Sequence, residues 1–168
     1  MRAAARASKI TGSAINVHPG FGENAPDEIC DILEEAGADI SRVVISHLDR
    51  TILSSEGRLR FAQRGCYMEY DEFGFEGYYP IQYRGVIDFP TDVGRVNWIM
   101  DLINHGHLSQ ILISQDMCFK HHRRTYGGWG YDHLLREVVP IMRLKGMSDE
   151  QIDTIMIDNP RKLLTFVS

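Results

Sequence analysis

A chain of 168 residues lies within the size of one domain and can bury a real core, and its 43% hydrophobic and 24% charged content is that of an ordinary globular protein. A net charge of -5 with a pI near 5.8 argues against a nucleic-acid surface, which needs clustered Lys and Arg; the nearest thing to a basic patch, Lys120 to Arg124, reads as a short solvated loop. No apolar run reaches membrane-spanning length, and Cys30, Cys66 and Cys118, odd in number and without CxxC spacing, suit a reducing compartment, taken here as the cytoplasm, better than a disulfide framework.

The first 22 residues contain no acid and carry Arg2, Arg6 and Lys9 among alanines, a composition shared by mitochondrial presequences. A strand starting at Ala14 leaves little room for a removable segment, so Met1 to Thr11 is expected to be a helix closed by Gly12. Ala14 to Val17 forms the first strand and ends at His18. Pro19 to Gly22 is a loop, Asn24 is an N-cap with Pro26 just inside, and Ile29, Ile32, Leu33 and Ala36 mark a helix that Gly37 ends.

A second apolar run, Val43 to Ser46, stops at His47. Leu59, Phe61 and Ala62 fall in a short helix stopped by Gly65, and Cys66 to Tyr70 reads as a third strand tipped by Asp71 and Glu72. Phe73 to Pro90 is a long loop rich in Gly, Tyr and Phe, expected to be a packed lid. Val93 to Asn104 is amphipathic, and Ile111 to Ser114 is a fourth strand leading to Asp116. Met117 to Gly130 is a second long loop, Tyr131 to Lys145 a helix interrupted or bent at Pro140, and Ser148 caps a helix from Asp149 to Ile157. Asn159-Pro160 is expected to break the chain before a last short helix. One helix followed by four strand–helix repeats gives a parallel sheet with right-handed crossovers, in a single unit over residues 1–168.

Strands buried on both faces are unbroken apolar runs, and in such folds the chemistry sits at their C-terminal ends. His18 and His47 lie 29 positions apart, about one strand–helix unit, and Asp116 follows 69 positions later. Two imidazoles and a carboxylate at one sheet edge suit zinc or a similar divalent metal. Taken singly, each histidine is as well explained as a hydrogen-bonded loop residue, and Asp116 as a cap.

His18-Pro19-Gly20, the block Ser46 to Thr51 (SHLDRT), Gly65 to Asp71, Ile111 to Asp116 and Tyr126 to Tyr131 (YGGWGY) resemble the phosphotriesterase-related proteins (parathion hydrolase-related) of the amidohydrolase superfamily. The match runs in order along nearly the whole chain. It implies an α/β fold, the C-terminal half (strands five to eight) of a (β/α)8 TIM barrel, with a metal site at the strand ends that holds two ions when complete, usually zinc. By this resemblance His18 and His47 bind one metal, and Asp116 binds the other and accepts the proton of the attacking water. The implied substrate is a small molecule with an amide bond of the N-acetyltaurine kind, or an ester; the family's phosphotriesters come second.

The resemblance also marks departures. The family's His-x-His pair on the first strand and its bridging carboxylate or carboxylated lysine on the fourth are absent, Glu72 stands where the bacterial enzyme has a histidine, and Phe21 stands where a basic residue is expected. Two readings follow: a zinc-dependent hydrolase, or a catalytically incomplete half-barrel that acts at most as an interaction module. Four parallel strands leave two open edges, so self-association through them and low activity of this chain alone are expected, and the apolar face that would meet strands one to four is expected to be exposed.

Overall fold

A computed structural model describes residues 1–76 and 89–167. Most of the loop expected to be a lid, with Tyr78 and Tyr79, lies outside the described residues. The ordered elements are helix α1 (Arg2–Thr11), strand β1 (Ile15–Val17), α2 (Ala25–Glu35), β2 (Val43–Ile45), a short α3 (Leu48–Thr51), α4 (Ser55–Ala62), β3 (Tyr67–Tyr70), α5 (Asp92–Asn104), β4 (Ile111–Ile113), α6 (Val139–Leu144), α7 (Asp149–Asp153) and α8 (Asn159–Leu164). The strands form one parallel sheet in the order β1-β2-β3-β4, with Ile15 opposite Val43, Val44 opposite Tyr67 and Met68 opposite Ile111. This is half of a (β/α)8 barrel.

Strand alternation sorts the side chains into two layers. Ile15, Val17, Val43, Ile45, Met68, Tyr70 and Ile111 face the helices and pack with Leu33, Phe61, Val96, Ile99 and Met142 in the main core. The opposite, inner face carries Asn16, Val44, Tyr67, Glu69 and Leu112. An exposed apolar surface was expected there. Instead Val44, Tyr67 and Leu112 are buried, packed with Leu163 of α8, and the outer part of that face is polar, where the Ser46 hydroxyl bridges Asn16 Oδ1 (2.6 Å) and Glu69 Oε2 (2.7 Å).

Local stop signals behave as the sequence suggests at several points. Gly12 adopts φ +70 and ends α1, where an added Cβ would strike the Val167 backbone. Ser148 and Gln151 form a full capping box at the start of α7. Asn24 occupies its N-cap position but makes no side-chain cap hydrogen bond.

The two prolines break no helix. Leu134–Val138 and Thr154–Asp158 are π-helical, with the Val139 N–H reaching Leu134 O and the Asn159 N–H reaching Thr154 O, and each proline follows two residues later. The wider turn moves the preceding carbonyls away from the pyrrolidine ring, so the helix runs on. Asn159 also ties this region to the sheet, its Nδ2 donating to Leu108 O (2.9 Å) and Ile111 O (2.8 Å).

A buried charge network fixes the C-terminal ends of the strands. Arg95 of α5 is fully buried and donates through Nε to Asp49 Oδ2 (2.8 Å), through Nη1 to Asp92 Oδ1 (3.1 Å) and through Nη2 to Phe75 O (2.9 Å). Asp49 Oδ2 also accepts the Glu72 N–H at 3.0 Å, and Asp92 Oδ2 meets His133 Nε2 at 2.6 Å. Removing one partner strands a buried charge. Arg95→Met or Asp49→Ala is therefore expected to cost about 3–5 kcal/mol, with the double variant costing clearly less than the two singles together. Urea unfolding of the three variants checks this.

Candidate metal centre

Each strand tip delivers one polar side chain to the same edge. The β1–β2 ladder extends one bond past the strands, Ser46 N–H to Val17 O at 3.0 Å, and β3–β4 does the same through Ser114 N–H to Tyr70 O at 3.0 Å. Beyond those bonds the chain turns sharply at His47 (φ 56) and Asp116 (φ 37), the two non-glycine residues with positive φ among those described. Each such conformation costs about 1–3 kcal/mol, and residues held this way concentrate at functional sites. After His47 the chain enters α3, whose four residues Leu48 to Thr51 are all buried.

His47 is held from two sides by one carboxylate. Asp71 Oδ1 accepts the His47 backbone N–H at 3.0 Å and lies 2.9 Å from its Nδ1. That leaves Nε2 pointing at His18 Nδ1, 2.7 Å away, while His18 Nε2 is 3.2 Å from Arg50 Nη2. A guanidinium can only donate, so the chain of bonds runs one way: Arg50 to His18 Nε2, His18 Nδ1–H to His47 Nε2, and His47 Nδ1–H to Asp71. His47 thus already has the tautomer a metal needs, with a carboxylate behind it. His18 must give up its Nδ1 proton to bind through that atom.

The electrostatics favour an added cation. Burial lowers the pKa of both His47 and His18, with Arg50 adding to this at each and His47 adding at His18, so both imidazoles are held neutral with lone pairs available. Burial and then the neighbouring carboxylate Asp49 push Asp71 well above the usual range and raise Glu72 to about 9. Glu72 Oε2 is buried without a hydrogen-bond partner. His47, Glu72 and Asp116 each offer an atom within 4.8 Å of the other two, a group that can hold a metal ion. Neutral imidazoles, crowded carboxylates and an orphaned oxygen are the donor chemistry of a divalent cation. His18 stands outside that trio and joins it through His47.

Beside Asp116 lies a cavity of about 70 Å³ walled by Phe75, Phe119 and His122. Lys120, His121, Arg123 and Arg124 are exposed, as the reading of this stretch as a solvated loop expects, but His122 is not. It is 1% exposed, its ring is 4.4 Å from that of Trp129, and neither ring nitrogen has a partner among the described residues. Trp129 sits on Gly74, whose added Cβ would be 2.5 Å from the indole. Of the other aromatics in the two long loops, Phe75 lines the cavity, Phe73 is in the core, and Tyr126 is exposed.

The phosphotriesterase family model matches residues 1–164. The chain belongs to that family. It is 45% identical to the N-acetyltaurine hydrolase of Dictyostelium discoideum over 98% of this chain and 44% of that protein, and 44% identical to that of Mus musculus over 99% of this chain and 47% of that protein. The phosphotriesterase-related protein of Nematostella vectensis is 43% identical, with the same coverage as the mouse protein. Among solved structures, a resiniferatoxin-binding protein from Rhodobacter sphaeroides superposes with a TM-score of 0.89 at 33% identity, over 97% of this chain and 45% of that one. The phosphotriesterase homology protein of Escherichia coli, in complex with phosphate in its active site, gives 0.82 at 28%, over 98% of this chain and 52% of that one. This phosphotriesterase-family chain spans about half the length of the curated relatives it matches. No helix among its described residues is long and apolar enough to cross a membrane.

The geometry adds residues that pattern reading passed over. Asp71 is read from the sequence only as a strand tip, Glu72 as a strand tip and a departure, and Arg50 only as part of a motif. Their common signal was present in the sequence: charged residues directly following apolar runs, with no turn glycine between.

The raised pKa of Glu72 has a thermodynamic consequence in metal-free protein. Between the ordinary value of 4.5 and about 9 the unfolded chain has lost this proton and the folded chain has kept it, so stability falls as pH rises. The slope contributed is at most about 1.4 kcal/mol per pH unit. In the presence of a chelator, Glu72→Gln is expected to match the parent at pH 4 and exceed its stability at pH 8, as measured by urea midpoints.

Proposed function

We propose that this chain carries part of the active site of a zinc-dependent hydrolase, acting on an N-acyl amide of the N-acetyltaurine kind before a phosphotriester. The observation that carries the reading is the pair His18 Nδ1 and His47 Nε2, 2.7 Å apart at neighbouring strand tips with Asp71 behind His47. The N-acetyltaurine hydrolases of Dictyostelium and mouse, and the phosphate in the active site of the Escherichia coli homologue, support the choice of a polar small-molecule substrate.

In this reading His18 and His47 hold one metal, and Asp116 binds at the second position. The metal supplies a Lewis acid for the scissile carbonyl and makes water a nucleophile near neutral pH. Asp116 accepts the proton of the attacking water and passes it to the departing amine; its carboxylate is free of ion pairs among the described residues and borders the cavity. Asp71 keeps His47 in the tautomer that presents Nε2. Phe75 and Phe119 exclude bulk water from one side of the reacting carbonyl. Three free thiols support a cytoplasmic setting. The outer edges of β1 and β4, each paired on one side only among the described residues, support self-association.

Zinc stoichiometry and hydrolysis by the 168-residue chain test this reading. His18→Ala and His47→Ala are each expected to abolish tight zinc binding, and Asp71→Asn to weaken it about 10–100-fold. N-acetyltaurine is expected to be cleaved in preference to paraoxon, slowly by this chain alone. Zinc content unchanged in both histidine variants would remove the ligand assignment. Absence of zinc uptake by the parent would favour the incomplete half-barrel acting as an interaction module.

A further inference from the structure

Four arginines are buried among the described residues, Arg42, Arg50, Arg58 and Arg95, and the terminal nitrogens of three of them donate to oxygen. Arg42 Nη2 donates to Gly12 O, Leu163 O and Thr165 O; Arg58 Nη1 donates to Leu53 O; Arg95 is saturated by two carboxylates and a carbonyl. Arg42 and Arg58 leave only Nε buried without a partner. Arg50 is different at its terminal edge. It is 3% exposed, its Nη2 donates to the His18 ring nitrogen, and its Nε pairs with the buried Glu72 carboxyl at 3.4 Å, while Nη1 is buried with no partner among the described residues.

A guanidinium nitrogen withdrawn from water without an acceptor is costly unless something else supplies one, and here that nitrogen is Nη1. The surroundings fit a ligand filling that role. The Phe21 ring covers the guanidinium at 4.3 Å and is itself 38% exposed. Beside them opens a pocket of about 330 Å³ lined by Phe21, Arg50, Thr51, Leu53, Ser54 and Glu23. On the other side of the strand tips, the cavity at Phe75, Phe119 and His122 is aromatic and lies against Glu72 and Asp116, a setting hostile to an anion. The two sides of the site therefore differ in that only the Phe21 side offers an unpartnered guanidinium nitrogen.

We propose that Arg50 is the anion-recognition residue of this site, binding the sulfonate or carboxylate at the amine end of an N-acyl amide while the uncharged acyl end points toward the Phe75–His122 cavity. This rests on the hydrolase reading for the identity of the substrate. Arg is suited to the task because its planar fork meets a carboxylate or sulfonate with two parallel donors.

Calorimetric titration of the 168-residue chain, with and without zinc, uses N-acetyltaurine, its neutral counterpart N-ethylacetamide, and inorganic phosphate as probes. The parent is expected to bind N-acetyltaurine at least tenfold tighter than N-ethylacetamide. Arg50→Met should reduce that preference to less than threefold, Arg50→Lys should restore part of it, and Phe21→Leu should weaken it with Arg50 intact. Thermal midpoints of all variants separate loss of recognition from loss of fold. A parent without preference, a parent that binds neither amide, or an Arg50→Met variant that keeps the preference while folded, overturns the proposal. Phosphate binding as tight as N-acetyltaurine, and equally dependent on Arg50, makes this a free-oxyanion site and overturns the substrate assignment. If the preference is seen in a chain that takes up no zinc, Arg50 recognition stands and the metal-hydrolase reading falls. If zinc binds through His47 but the acid is not preferred, this inference alone falls.

Discussion

The Asp49–Arg95 ion pair is the constraint on which the strand-end geometry depends. Both side chains are wholly buried and 2.8 Å apart, and the pair joins four parts of the chain: α3 after β2, the turn after β3 through the Glu72 N–H and Phe75 O, the start of α5 through Asp92, and the helix bearing His133 through Asp92 Oδ2. A buried pair of this kind contributes little net stability compared with apolar packing, but it penalises any arrangement that separates its members. Here the penalty falls on displacement of Glu72 relative to His47. The distances at the candidate site are set by an ion pair, Asp49–Arg95, that lies outside both the metal-capable trio and the cavity lining.

Above that network the strand ends gather more carboxyl groups than the fold needs. Asp49 is matched by Arg95, but Asp71 and Glu72 are buried beside it with their pKa values raised, Glu72 to about 9, so that Glu72 keeps its proton at neutral pH in the metal-free protein. The cations of the region are committed: Arg95 to Asp49 and Asp92, and Arg50 to His18 and Glu72. Carboxyl groups crowded until one stays protonated are a cost without purpose in a purely structural element. The crowding becomes intelligible if a divalent ion displaces that proton.

Much of this was legible in the residues. The strands declared themselves as apolar runs with polar tips, and Gly12, Gly37 and Gly65 marked ends that the structure keeps, each with positive φ. The motifs from His18 to Tyr131 gave the half-barrel and the positions of His18, His47 and Asp116. What escaped the sequence is what depends on distant partners. Lys-His-His-Arg-Arg reads as solvated because every residue is polar; only Trp129 and Phe119, brought against it by the loop, bury His122. The inner face read as exposed because nothing local says that Leu163, more than fifty positions past Leu112 in the chain, lies across it. Asn159-Pro160 read as a break because pattern reading assumes a uniform turn.

That last assumption bears on helical phase. A π turn takes up more residues per revolution than an α turn, so the side chains after Thr154–Asp158 and after Leu134–Val138 are rotated relative to a single continuous wheel. Asn159 and Leu163, four residues apart and both buried, share the face set by that offset: one reaches the start of β4 and the other packs on the sheet's inner surface. A one-residue deletion within Thr154–Asp158 would return the segment to α pitch, turn that face away from the sheet by roughly a quarter of a revolution, and set the Pro160 ring against a carbonyl. The length of this stretch is thus as tightly specified as its composition.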